Sequence, residues 1–307
     1  MEHLSDAASR PVSARCSWCR SGMPFDEYHS RSDIMTEPRQ DGGHVRINSI
    51  RQHYLHYVGA KGPVVIVPGI VSPAALWSHI AEPIAQDGYD VWILDVRGRG
   101  LSEQGPHLDY GLDACAHDLE AFLIAMDLNE PIVVGHSMGA RIGARLAARS
   151  HRIGQLVMLD PPACAPGTRP YPIGSERTHA MVESARRGEA DAYLQQAGIA
   201  PWPEPLRRQR AQWMAVCDPR VIDVAYRDFH EQDIYQDVAA TNCPVTLVVA
   251  MASGVINSDE VARFQQSHPS LKVLRAEGAA HQLQAENTDL CLSILRQALQ
   301  YGAQKTI

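Results

Sequence analysis

From Gly43 onward, short apolar runs alternate with segments of helical spacing, and this alternation constrains the fold more than any other feature of the chain. PVVIVPG, YDVWILDV, PIVVG, GQLVMLD and PVTLVVA are too short for independent helices and largely apolar, and LKVLRAEG resumes the alternation late in the chain. Strands covered on both faces read this way. AALWSHIAEPIAQDG, DACAHDLEAFLIAMDL and MGARIGARLAARS, which fall between them, carry apolar residues at helical intervals. Such a succession gives an α/β fold with a mostly parallel, doubly wound sheet. Ahead of it, HVRINSIRQHYLHYVG alternates like a strand pair. The alternation lapses over residues 161–240, where charged helical segments bearing Trp and Tyr replace buried strands. This stretch reads as a helical cap inserted between core strands. The expected organisation is an N-terminal extension over 1–43, a first core part over 44–160, the cap over 161–240 and a second core part over 241–307.

Composition narrows the function. With 307 residues, 45% of them hydrophobic, the chain can bury one sizeable core. A net charge of -7 argues against broad nucleic-acid binding, which needs a basic face. It does not exclude a small anionic substrate held in a locally basic pocket. The seven cysteines are odd in number and scattered, so reduced thiols and a soluble, cytoplasmic protein are expected. No apolar run reaches membrane-spanning length. Cys16 and Cys19 form one C-x-x-C without a second pair at zinc spacing, and no metal site is expected there. Residues 1–34 read as a dispensable extension, with a natural start at Met35.

VVGHSMGA sets Gly135-His136-Ser137-Met138-Gly139 between a strand and a helix. This is the context that a G-x-S-x-G nucleophile elbow requires. Small residues at both glycine positions let the chain turn sharply and raise the Ser137 hydroxyl above the sheet. The Met138 N–H then points at the anion formed when Ser137 attacks a carbonyl. A serine needs a base near neutral pH. His281, just past the strand LKVLRAEG, stands where that base belongs, whereas His268 precedes the strand and His136 reads as a packing residue. In VIVPGIVSP, Gly69 allows close backbone approach, and the Ile70 N–H is expected to pair with that of Met138 as the oxyanion hole.

PGIVSPAALW, LDVRGRGLSEQG, LDYGLDA and GHSMGAR, with PGTRPYP, RAQWMAVCD and DFHEQDI from the cap, carry a family resemblance. From about Gly43 the chain resembles the α/β-hydrolase fold family and, more narrowly, the N-formylmaleamate deformylases of bacterial nicotinate breakdown. Most α/β-hydrolases place the catalytic acid after the strand that here is VTLVVA, but Ala252, Ser253 and Gly254 stand there, with no acid until Asp259. The deformylases carry it one core strand earlier, which implies Asp160. Asp259 is then the start of a helix, where a carboxylate suits the first turn. The resemblance implies amide hydrolysis by Ser137, Asp160 and His281, without metal or organic cofactor, on a small anionic amide. A cation should hold the substrate carboxylate. Arg169 and Arg210 are the candidates, while Arg97, Arg99 and Arg141 read as structural and Trp202, Trp213 and Tyr171 as lining or supporting the cap. Other serine hydrolases of this fold, a noncatalytic ligand-binding protein and a cofactor-free oxygenase are the rival readings.

Overall fold

The computed structural model describes residues 39–196 and 202–303, so Cys16, Cys19, Met35 and the extension up to residue 38 lie outside the described residues. An eight-stranded sheet runs in the order β1-β2-β4-β3-β5-β6-β7-β8. β1 (Gln40–Ile47) and β2 (Ile50–Tyr57) form an antiparallel edge. The other strands are parallel: β3 (Lys61–Val67), β4 (Tyr89–Leu94), β5 (Ile132–His136), β6 (Gln155–Leu159), β7 (Val245–Ala250) and β8 (Lys272–Ala276).

Side chains on a strand alternate between faces, and here both faces are covered. Val133, Leu156, Met158, Leu247 and Val249 enter one apolar core, which extends to helix α2 (Leu112–Ala125) and helix α3 (Met138–Ala147). Val134, Val157, Leu159, Val248 and Ala250 enter the other, under α1 (Ser78–Gln86) and α11 (Thr288–Ala303). Two covered faces explain why these strands read as unbroken apolar runs. β1 starts at Gln40, earlier than the sequence pattern shows. Gly42 and Gly43 pair with Leu55 and Tyr54 but have no side chains to mark a period.

Between β6 and β7 the chain forms helices α4 (Ser175–Arg186), α5 (Ala190–Gln196), α6 (Glu204–Met214), α7 (Arg220–Glu231) and α8 (Ile234–Ala239). The insertion therefore leaves and rejoins the sheet at neighbouring parallel strands. Arg141 of α3, fully buried, ties it down by donating to the carbonyls of Pro162, Cys164, Asp228 and Gln232. After β7, α9 (Ser258–Ser267) opens with a capping box between Asn257 and Glu260, and Asp259 lies in its first turn. A further short helix, α10 (Leu283–Glu286), follows β8. No helix among the described residues is long and apolar enough to cross a membrane.

Candidate active site

Ser137 joins β5 to α3 with φ 53° and ψ -118°, a conformation that non-glycine residues rarely adopt. The two flanking glycines make that turn possible. A Cβ on Gly139 would overlap the Val67 carbonyl oxygen, and one on Gly135 would overlap that of Gly139. The Ser137 N–H donates to the Leu159 carbonyl at 2.9 Å, which fixes the elbow against the end of β6.

Asp160 is the next residue after β6 and is wholly buried. Its N–H donates to Val248 at 2.8 Å, and its Oδ1 accepts the Ala250 N–H at 3.2 Å. With one oxygen held by β7, Oδ2 is left to accept from Nδ1 of His281 at 2.8 Å. On the other side of that ring, Nε2 accepts from the Ser137 hydroxyl at 3.0 Å. Ser137, His281 and Asp160 thus form one hydrogen-bonded chain over three strand ends. The acid-free segment after β7 takes a different part: the Ala252 N–H donates to the Ala279 carbonyl at 2.8 Å, bracing the loop before His281. Asp259, on α9, and His268, which contacts Ser270, take no part in the chain.

A cavity of about 70 Å³ opens on Ser137 and His281, lined also by Gly69, Ile70, Tyr171 and Arg210. It is far smaller than the ~300–1,000 Å³ of drug-sized sites. Among the described residues, neither the Ile70 nor the Met138 N–H has a hydrogen-bond acceptor. Both belong to segments gripped by buried Arg99, which donates to the Ile70 carbonyl at 2.9 Å and reaches Met138 Sδ at 3.1 Å. Arg97 is paired with Asp118 on α2.

His136 packs behind His281. Its Nε2–H donates to the His281 carbonyl at 2.8 Å, and the two rings lie 5.0 Å apart. Burial, with the nearby His281, pushes its pKa down to about 3, so the ring is neutral near pH 7.

The two arginine candidates separate. Arg169 is not at the cavity. Its guanidinium pairs with Glu260 at 2.8 Å and donates to the carbonyls of Gly254 and Val255, so its charge is used in joining the insertion to the start of α9. Arg210 does line the cavity. It lies 4.7 Å over the Trp202 ring, and among the described residues its one acceptor is the neutral Gln282 Oε1 at 3.2 Å. Its Nε–H is buried without a partner. Burial lowers its pKa to about 10, which still leaves it charged at neutral pH. Glu286 is the nearby opposite charge but forms no ion pair with it, so this buried cation on the cavity that holds Ser137 is a place for an anion. Trp213, by contrast, packs against the core under α1 and α11.

The sequence profile of the alpha/beta hydrolase fold matches residues 62–288. The chain belongs to the α/β-hydrolase fold family. It is 40% identical over 249 residues to the N-formylmaleamate deformylase of Pseudomonas putida, an alignment covering 81% of this chain and 92% of that protein. Among solved structures, the N-formylmaleamic acid deformylase of another Pseudomonas putida strain superposes with a TM-score of 0.78 at 36% identity, covering 83% of this chain and all of that one. E-2-(acetamidomethylene)succinate hydrolase superposes with a TM-score of 0.71 at 20% identity over 85% of this chain and all of that one, a likeness of fold alone.

Gln282 and Tyr171 also reach the cavity. Gln282 directly follows His281, so its place beside that histidine is available from chain order. The sequence reads Tyr171 as lining or supporting the cap, without marking it for the site itself. Its nearness to His281 depends on how the segment after Asp160 folds back.

Proposed function

We propose that the protein is a serine-dependent amide hydrolase that converts N-formylmaleamate to maleamate and formate. The observation that carries this reading is the Ser137–His281–Asp160 chain opening on a small cavity that also holds the unpaired Arg210. The 40% identity to a deformylase over most of both chains supports the choice of substrate.

His281 takes the Ser137 proton as Oγ attacks the formyl carbon, and the Ile70 and Met138 N–H groups receive the oxyanion. Asp160 holds the imidazole in the tautomer that presents Nε2 to Ser137 and stabilises the imidazolium. His281 then protonates the nitrogen as the C–N bond breaks, releasing maleamate. A water deprotonated by His281 attacks the formyl-serine, and formate leaves. Arg210, with Gln282, binds the substrate carboxylate, and helices α4 to α8 act as the cap that limits substrate size.

The test is formate release from N-formylmaleamate by the wild type and by Ser137→Ala and Asp160→Asn. Each variant should lose ~10³-fold or more in kcat. No release from folded wild-type protein would overturn the substrate. Full activity in Asp160→Asn would remove Asp160 as the acid.

A further inference from the structure

Of the polar groups that line the cavity and have no part in the mechanism above, the Tyr171 hydroxyl is hydrogen-bonded to the reacting side chains themselves. The Tyr171 hydroxyl lies 3.3 Å from His281 Nε2 and close to the Ser137 side chain. Its ring is clamped edge-on between Tyr226, at 5.6 Å, and Phe229, at 5.3 Å. Its backbone N–H donates to His230 Nε2 at 3.2 Å, and His230 in turn donates from Nδ1 to the Tyr226 carbonyl at 2.7 Å. A phenol that merely filled space would not need its oxygen at the one imidazole nitrogen through which the reaction's protons pass.

Position limits what this hydroxyl can do. The oxyanion donors are backbone groups of the β3 loop and of the first turn of α3. The Nε2 side of His281 is where the leaving nitrogen must lie to receive its proton. Tyr171 is therefore on the leaving-group side. Burial holds its pKa well above the usual phenol value, so it stays a hydrogen-bond donor at any working pH.

The deformylase reading, on which this step rests, gives the donor a specific task. In N-formylmaleamate the scissile nitrogen carries a second acyl group. As the C–N bond breaks, the electron pair released to nitrogen spreads onto that second carbonyl oxygen, and His281 delivers a proton to the nitrogen. We infer that Tyr171 is a catalytic residue that donates a hydrogen bond to this second acyl oxygen as the amide departs, with no net proton transfer. The site is thereby matched to amides whose nitrogen bears two acyl groups.

Tyr171→Phe keeps the ring and removes only the hydroxyl, and a wild-type unfolding midpoint in urea shows that the variant is folded. The measurement is kcat/KM, which reports the steps up to the formyl-enzyme, on two substrates. For N-formylmaleamate the variant should fall on the order of 10–10²-fold, the worth of one hydrogen bond to developing charge. For 4-nitrophenyl formate, whose leaving group departs unaided, the loss should be at least about fivefold smaller than that on N-formylmaleamate. Equal losses on both substrates, or no loss on either, would overturn the role while leaving the deformylase reading intact. A wild type that hydrolyses the ester but releases no formate from N-formylmaleamate would overturn that reading and this role with it.

Discussion

Arg210 sets a residue-scale conflict between stability and binding. A guanidinium excluded from water, with Gln282 Oε1 as its hydrogen-bond acceptor among the described residues, the face of Trp202 beside it and only the more distant Glu286 of opposite charge, costs the folded state free energy, as its lowered pKa records. Evolution keeps such a group where a ligand supplies the missing charge. Arg210→Met fills similar space without the charge. The variant should unfold at an unchanged or higher urea concentration, while its KM for N-formylmaleamate rises ~10²-fold or more, the effect of losing a charge-assisted pair. Its kcat/KM on 4-nitrophenyl formate, which has no carboxylate, should stay within about threefold of wild type. A parallel fall on both substrates would place Arg210 in the scaffold. Arg169, already neutralised by Glu260, offers no such conflict. The sequence alone could not separate these two arginines, because a guanidinium reaches far and its partner is decided by tertiary packing.

The elbow shows how one element depends on positions with no room for a side chain. At Gly139 a methyl group would enter the Val67 carbonyl, which is fixed by the β3–β5 ladder and cannot yield cheaply. Gly139→Ala should lower stability by ~2–4 kcal/mol in urea unfolding and abolish labelling of Ser137. Gly167 is the control, since it has φ 74° but open space around it. Gly167→Ala should cost only ~1 kcal/mol of backbone strain and leave labelling intact. A loss at Gly139 no larger than that at Gly167 would show that the contact with the Val67 carbonyl is relieved at little cost. Elements with this much local constraint were legible in the sequence. The strands β3 to β7 announce themselves because both faces are buried, and G-H-S-M-G sits where a strand meets a helix. The start of β1 was hidden by Gly42 and Gly43, and α10 is too short to show a period. Asp160 became legible only through family resemblance: nothing in GQLVMLDPP says that its carboxylate will turn toward a histidine 121 residues away.

At the scale of the whole molecule, the site joins parts that lie far apart in the chain, and His136 is one of the joints. It belongs to β5, lines the cavity, and donates to the carbonyl of His281 in the loop after β8. Its burial makes that joint sensitive to acid. In the folded protein its pKa is about 3, against about 6.5 in an unfolded chain. At pH 7 the folded protein is neutral at this position and the unfolded chain largely so, and the group contributes little pH dependence. Below pH 6.5 the unfolded chain takes up a proton that the folded protein refuses, so stability is lost from there down to about pH 3. At pH 5 the loss from this one group is about 2 kcal/mol. His79 on α1, whose pKa burial also lowers, acts in the same direction. His136→Gln retains an N–H that can reach the His281 carbonyl but cannot titrate. Urea unfolding at pH 7 and pH 5 should show a clear fall in wild-type stability and a fall smaller by about 2 kcal/mol in the variant. An equal fall in both proteins would move the acid lability to His79 and the carboxylates, and leave His136 with packing alone.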